Sequence, residues 1–412
     1  MIKRLHLSKA ILFCALLISN LKGFTQDWIW TKGNNTVNKF GIYGPLNSSF
    51  GNNNPGSRAG GATWTDNSGN LWLFGGEGYA TSTGGKLSDL WKYTIGTNEW
   101  KWVKGHNGTD RYGVYGTQGV SSATVGPGAR SNSVSWKDAS GNLWLFGGLG
   151  FDVNSVSGSL ADLWKYNVST SEWSWIKGFN TVDQNGVYGT QGVSSSTVMP
   201  GSRSSAVGWT DASGNLWMFG GSGRAATGGN AFLNDLWKFD VTTLQWTWIH
   251  GSSTSAQGGT YGTLGNASAA NTPGARDGAT AWKDGSNNFW LCNGNGLDGT
   301  SQSGMLSDIW RFNTGTGQWT WIDGLSAYNQ SAVYGIRGLL SSTVTPGSRH
   351  KSVSWTDASG NLILQGGVNN AIATPVVFGD VWKYNITTNN WTWIRGMNST
   401  PAYGTKGTSS NL

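Results

Sequence analysis

The stretch Asn142-Leu143-Trp144-Leu145-Phe146-Gly147-Gly148, NLWLFGG, is a short apolar run closed by two glycines. A run of that length with no polar alternation predicts a strand covered on both faces. The glycine pair admits two readings, a ligand-cradling loop or structural punctuation. A phosphate loop leads into a helix N-terminus, and no helical pattern follows here. The glycines instead release the chain from the strand and admit close backbone packing.

Outward from this stretch the chain repeats itself. Trp64, Trp136, Trp209, Trp282 and Trp355 recur at spacings of 72, 73, 73 and 73. Arg58, Arg130, Arg203, Arg276 and Arg349 keep the same period, each behind Pro-Gly-Ser or Pro-Gly-Ala. A Tyr-Gly pair returns six times, at Tyr43, Tyr115, Tyr188, Tyr261, Tyr334 and Tyr403. Such self-similarity marks an array of one supersecondary unit. The units fall at about 58–129, 130–202, 203–275, 276–348 and 349–412.

Each unit carries four strand-like runs. In the second these are Ser133 to Trp136, Leu143 to Phe146, Asp162 to Tyr166 and Glu172 to Ile176. Polar and glycine-containing turns separate the first pair and the last pair. The fourth run alternates, with Trp173 and Trp175 on one face and Ser174 on the other. Four antiparallel strands repeated around an axis predict an all-β fold, a β-propeller whose blades bury their faces on one another. All 26 tryptophans fit this scheme, and Trp28 and Trp30 form an orphan fourth strand at the start. Aromatic burial at blade interfaces then supplies the cohesion.

These residues resemble the kelch motif. Its glycine pair matches Gly75-Gly76, Gly147-Gly148, Gly220-Gly221 and Gly366-Gly367. Its aromatic pair, with six residues between, matches Tyr93 with Trp100, Tyr166 with Trp173, Phe239 with Trp246, Phe312 with Trp319, and Tyr384 with Trp391. The fourth copy departs, with Cys292-Asn293-Gly294 in place of Phe-Gly-Gly. The long unit is similar to secreted bacterial long-repeat kelch proteins of galactose-oxidase-like type. Residues 26–412 are thus expected to form a propeller of four-stranded antiparallel kelch-type blades. There are five complete blades plus the orphan N-terminal strand, or six blades if the chain is a truncated piece.

The first 25 residues read differently. Lys3, Arg4 and Lys9 precede an apolar core from Ala10 to Ile18, the layout of a secretory signal peptide. With its removal Lys3, Arg4, Lys9 and Lys22 leave, and the formal net charge of +7 falls to +3. That small surplus gives no nucleic-acid footprint. No later segment has the length of a membrane-spanning helix, so no stable membrane insertion is expected after signal removal. One cysteine, Cys292, would remain, which precludes an internal disulfide. The expected location is extracellular or periplasmic, secreted or at the cell surface.

Strand direction places the long connections on one face of the ring, the second-to-third loop (Gly148 to Ala161) and the unit-to-unit loop (Gly178 to Arg203). Loops on a rigid scaffold are where binding resides. Candidate binding-face residues are the variable Tyr79, Phe151 and Arg224, and the recurring Tyr115, Tyr188, Tyr261 and Tyr334. The tyrosines have two readings, stacking on sugars or pinning the long loops to the blade. A galactose-oxidase likeness would imply copper held by two His and two Tyr, one Tyr joined to Cys. His106, His250 and His350 lie in different units without ligand spacing, so no metal, cofactor or catalytic residue is assigned. Asp89, Asp162, Asp235, Asp308 and Asp380 recur once per unit; a partner in the Arg series suits them better than calcium. The expected function is a secreted, non-catalytic module that binds an extracellular glycan or protein. A carbohydrate-active enzyme (an isomerase, a lyase or a galactose-oxidase-like oxidase) and a structural surface protein are the alternatives.

Overall fold

The computed structural model describes residues 28–371, 375–396 and 409–410. The first 25 residues, expected to be a signal peptide, and Tyr403 lie outside the described residues. Among those described there is no helix, and hence none long and apolar enough to cross a membrane. The chain is all-β, a succession of antiparallel four-stranded sheets consistent with a β-propeller.

The second repeat shows how the sequence dictates the sheet. Its first strand comes in two pieces, Arg130–Ser131 and Val134–Lys137, both paired with Leu143–Phe151. Leu143–Phe151 pairs with Ser157–Asn167, which pairs with Glu172–Lys177. The first turn is locked by a carboxylate. Asp138 accepts the backbone N–H of Asn142 at 2.9 Å and the indole N–H of Trp144 at 2.8 Å. The opening stretch is therefore tied back to its own turn as it enters the strand, and Leu143 to Phe146 are buried throughout.

At the glycine pair the register slips between Phe146 and Gly148. Gly147 and Gly148 have φ of 62° and 102°, a bulge geometry that glycine adopts without steric cost. A Cβ on Gly147 would lie 2.6 Å from the carbonyl oxygen of Arg203 in the following repeat. The glycine is thus required both by its own backbone and by its neighbour sheet. In the fourth repeat Asn293 holds the equivalent left-handed conformation at φ 61°, which asparagine tolerates better than other residues.

One expectation needs correction. The segment from Gly148 to Ala161 is not a long loop. Pairing continues beyond the bulge through Leu149↔Ser159 and Phe151↔Ser157, leaving only residues 152–156 at the tip. The bulge adds one residue without ending the ladder, so both strands run on as a hairpin. Tyr79 and Phe151 therefore end strands, and Arg224 follows one directly.

The aromatic pairs with six residues between stand directly opposite each other on the third and fourth strands of every sheet. The register sets Tyr93 against Trp100, Tyr166 against Trp173 and Phe239 against Trp246, then Phe312 against Trp319 and Tyr384 against Trp391. Each pair of rings is tilted, with centroids 5.0–5.1 Å apart. The turn between those two strands fixes the spacing, because a shift of one residue would send the two rings to opposite faces. Burial of the fourth-strand rings is uneven. Trp173, Trp246, Trp319 and Trp391 are buried, whereas Trp100 in the first sheet is half-buried. Trp173, Trp246 and Trp319 each receive a phenylalanine from the preceding sheet: Phe74, Phe146 and Phe219 respectively. Among the described residues Trp100 meets only the rings of Trp91 and Tyr93, in its own sheet.

Neighbouring sheets meet face to face through these rings. Trp144 packs on Phe239 and Phe146 on Trp246, with centroids 5.7 and 5.5 Å apart. The same pairs recur one repeat earlier as Trp72–Tyr166 and Phe74–Trp173. Nearer the axis, a chain of backbone hydrogen bonds runs from repeat to repeat. The N–H groups of Asn132, Ser205, Gly278 and Lys351 donate to the carbonyls of Gly60, Asn132, Ser205 and Gly278, at 2.7–2.9 Å. All five residues have φ between 55° and 65°. All five line one open pocket of about 190 Å³, so the five sheets converge there.

The outer rim has its own pattern. Ser121–Ser122, in the connection before the second sheet, adds to its fourth strand as Ser122↔Trp173 and Ser121↔Ser174. Trp28–Ile29 pairs with Ser409–Ser410 in the same register, Trp28↔Ser410 and Ile29↔Ser409.

Candidate functional site

The residues with the most chemistry recur in every repeat, and the structure gathers them into one buried knot per sheet. In the third sheet Asp235 is fully buried. Its Oδ1 accepts Arg203 Nη1 at 2.6 Å and its Oδ2 accepts Arg203 Nη2 at 2.8 Å. The same Oδ2 accepts the Tyr188 hydroxyl at 2.5 Å and the Trp237 indole N–H at 2.6 Å. Arg203 also donates to the carbonyls of Gly201 and Gly220, which ties the first strand to the glycine bulge. Burial alone would pull the guanidinium down, but the Asp235 carboxylate more than offsets this and raises it. Burial and the same carboxylate push the Tyr188 phenol up, so it stays a donor.

This knot fixes the position of the recurring tyrosines. Tyr115, Tyr188 and Tyr261 are buried, and Tyr334 is half-buried. Their hydroxyls donate to Asp162, Asp235, Asp308 and Asp380 at 2.5–2.6 Å. Each ring leans on the tryptophan two residues beyond its aspartate, as Tyr188 does on Trp237 at 4.8 Å. The unit-to-unit connection is thereby pinned to its sheet, and these rings offer little surface to a ligand. The variable Tyr79 and Phe151 are half-buried, and Tyr79 meets Phe40 edge-on at 5.4 Å. Arg224 donates to the carbonyl of Gly228 within its own turn.

The histidines stand apart. His106 is exposed, whereas His250 turns one ring nitrogen to the Gly251 N–H and the other to the Ala269 carbonyl. His350 is buried near the axis, where burial and Lys351 lower its pKa. Burial raises the Cys292 thiol in the fourth sheet. Among the described residues no group of three His, Cys, Asp or Glu side chains converges as a metal site would require. The donor set that copper needs in a galactose-oxidase-like centre is not met by these residues.

A different concavity emerges at the boundary of the first and second sheets. A cleft of about 440 Å³ opens there, within the size range of small-ligand sites. Its floor is apolar, formed by the buried Val103, Val125 and Trp173. Leu46, Tyr112 and Val114 stand at its mouth, and Tyr112 is 53% exposed. Ser88 lies in its wall, 3% exposed, with a hydroxyl that meets no hydrogen-bond partner among the described residues. The Lys104 amine donates to the Ser171 carbonyl at 3.1 Å, and burial lowers its pKa. Partial desolvation and the nearby Arg111 lower that of His106 as well, although the residue is exposed overall.

The cleft is open because two side chains are small or polar. One repeat later Phe179 and Met199 hold the places of His106 and Gly126, and both pack against the buried cluster of that boundary. None of the cleft residues stands out in a single repeat. Comparing the same position between repeats is the signal that finds them: His106 against Phe179, Gly126 against Met199, Tyr112 against Asn185. No family model matches the chain, and no curated protein matches it.

Proposed function

We propose that this chain is a secreted kelch-type propeller that binds an extracellular glycan without transforming it. One contrast carries the reading. Ionisable residues that recur in every repeat are consumed in buried knots, while the differences between repeats alter the lining of a surface cleft. Function on a repeat scaffold resides in such differences. An apolar floor, an exposed ring at the mouth and several hydroxyl and amine groups suit the amphipathic surface of a sugar.

The glycine bulges, the six-residue aromatic spacing and the convergence of the five sheets support the kelch assignment. Two sheet faces support a ring with a sixth blade position between the fifth and first sheets. Leu71 of the first sheet is 39% exposed where its equivalent Leu143 is 0%. Trp355 of the fifth is 39% exposed where Trp136 is 3%. Trp28–Ile29 would be the fourth strand of that position, since its register with Ser409–Ser410 repeats that of Trp173 and Ser174 with Ser121–Ser122. The basic and apolar N-terminus supports export.

A glycan array probed with the mature chain, followed by mass analysis of the retained sugars, tests the function. We expect retention of a subset of glycans with their masses unchanged. A mass change in the retained sugar would overturn the non-catalytic reading, and retention of no glycan would overturn glycan binding.

A further inference from the structure

We infer that the cleft between the first and second sheets is the binding site for a carboxylate-bearing sugar unit of the uronate type. The inference rests on the glycan-binding reading and adds to it a location and a ligand charge. Three features of the cleft select the ligand. The Ser88 hydroxyl is buried in the wall with no partner among the described residues, a group that a ligand hydroxyl would satisfy. Tyr112 presents an open ring at the mouth, against which the apolar face of a pyranose packs. Lys104 and His106 are the basic residues of the lining, and no carboxylate joins them.

That lining leaves the cationic side of the cleft without a counter-charge of its own. The Lys104 amine has one recorded acceptor, the neutral carbonyl of Ser171, and keeps donors to spare. Glu172 acts on it electrostatically, but that carboxylate accepts the Ser121 hydroxyl at the rim and does not line the cleft. A ligand carboxylate set against Lys104 forms a charge-assisted hydrogen bond in a half-enclosed site, where such bonds are stronger than between neutral groups. A neutral hexose would satisfy Ser88 and cover Tyr112 while leaving the amine unmatched.

The neighbouring boundary provides the control. His106→Phe with Gly126→Met installs the side chains that fill the equivalent space there, as Phe179 and Met199. The backbone accepts the second change, because Gly126 has no positive φ and a Cβ would meet only Trp173 Cδ1 at 3.7 Å. Ser88→Ala is a second, smaller perturbation that removes only the unpartnered hydroxyl.

Isothermal titration of the mature chain with methyl β-D-glucuronide and with methyl β-D-glucoside decides the matter. We expect one site, with the glucuronide bound about tenfold tighter than the glucoside. The double variant should lose binding with its melting temperature unchanged or raised, and Ser88→Ala should weaken it several-fold. Equal affinity for the two sugars overturns the carboxylate assignment. Undiminished glucuronide binding by the double variant overturns the location, while glycan binding itself survives. A wild-type chain that binds neither methyl glycoside but is retained on the array overturns the inference and spares the reading beneath it. Failure on the array as well removes both.

Discussion

Replacing Asp235 by alanine gives the most direct test of what holds each sheet together. The carboxylate is fully buried and accepts four hydrogen bonds, two from Arg203 and one each from Tyr188 and Trp237. Its removal leaves a buried guanidinium without a counter-charge, a loss of about 3–5 kcal/mol in comparable pairs. The two neutral donors left behind add about 1 kcal/mol each. The total, about 5–7 kcal/mol, approaches the whole stability of a typical domain. Arg203→Met combined with Asp235→Leu removes both charges and leaves apolar side chains of similar reach. That pair should therefore be clearly more stable than Asp235→Ala alone. Urea denaturation at pH 7 measures the loss, and hydrogen exchange of the amides in Gln245–His250 shows whether opening is local to the third sheet. A loss under about 2 kcal/mol for Asp235→Ala would refute the assignment. So would a double variant as unstable as the sum of its two singles.

Four further outcomes follow from single residues. Burial raises the Asp277 carboxyl from 3.8 to about 6, and its Oδ1 has no partner among the described residues. A raised folded-state pKa favours the protonated form, so native stability should fall as pH rises through about 6. At pH 7 the penalty reaches at most about 3 kcal/mol, and Asp277→Asn should remove it, as melting curves between pH 4 and 8 would show. Gly147→Ala places a Cβ 2.6 Å from the Arg203 carbonyl at a φ of 62°, and should cost at least about 2 kcal/mol. Asn293→Gly at the matching position should change stability by under about 1 kcal/mol; thermal melts of the two variants provide the comparison. Cys292 is fully buried with its thiol raised, so iodoacetamide at pH 8 should label it only after denaturation, as intact-mass analysis would record.

How much of this was legible depended on how local each cause was. NLWLFGG announced a doubly covered strand, and the strand is buried on both sides because neighbouring sheets supply their own copies of the pattern. The pairing of the Arg and Asp series was within reach, since both recur once per repeat with opposite charge. The facing of Tyr384 and Trp391 was legible too, because a short turn fixes which residues of a hairpin meet. The partial exposure of Trp100 was not, since it depends on what stands beside the first sheet and not on the repeat that contains it. The sequence admits two roles for the recurring tyrosines, because a hydroxyl's partner 47 residues further on is set by the fold. The extension of strands beyond Gly147-Gly148 is hidden in the sequence for a physical reason. Glycine after an apolar run looks like an ending, yet a bulge only shifts the register and pairing resumes. The cleft was hidden more deeply. It is made by volume that is missing at His106 and Gly126, and missing volume shows only when one repeat is laid on the next.

These causes also explain where this architecture can vary. Within a sheet, Asp235 answers to four donors, Gly147 to a neighbour's carbonyl, and Ser205 to a left-handed turn in the chain of axial hydrogen bonds. Change at any of these breaks several contacts together, and the effect passes to the next sheet. Position 106 carries no such burden, as its side chain faces the rim between two sheets already joined by their aromatic rings. Phenylalanine there closes the boundary, and histidine leaves it open. A repeat scaffold built this way can gain or lose a pocket through two residues without disturbing its interior. The side chains that decide binding are therefore to be sought at the rim of a sheet boundary, away from the motif that defines the sheets.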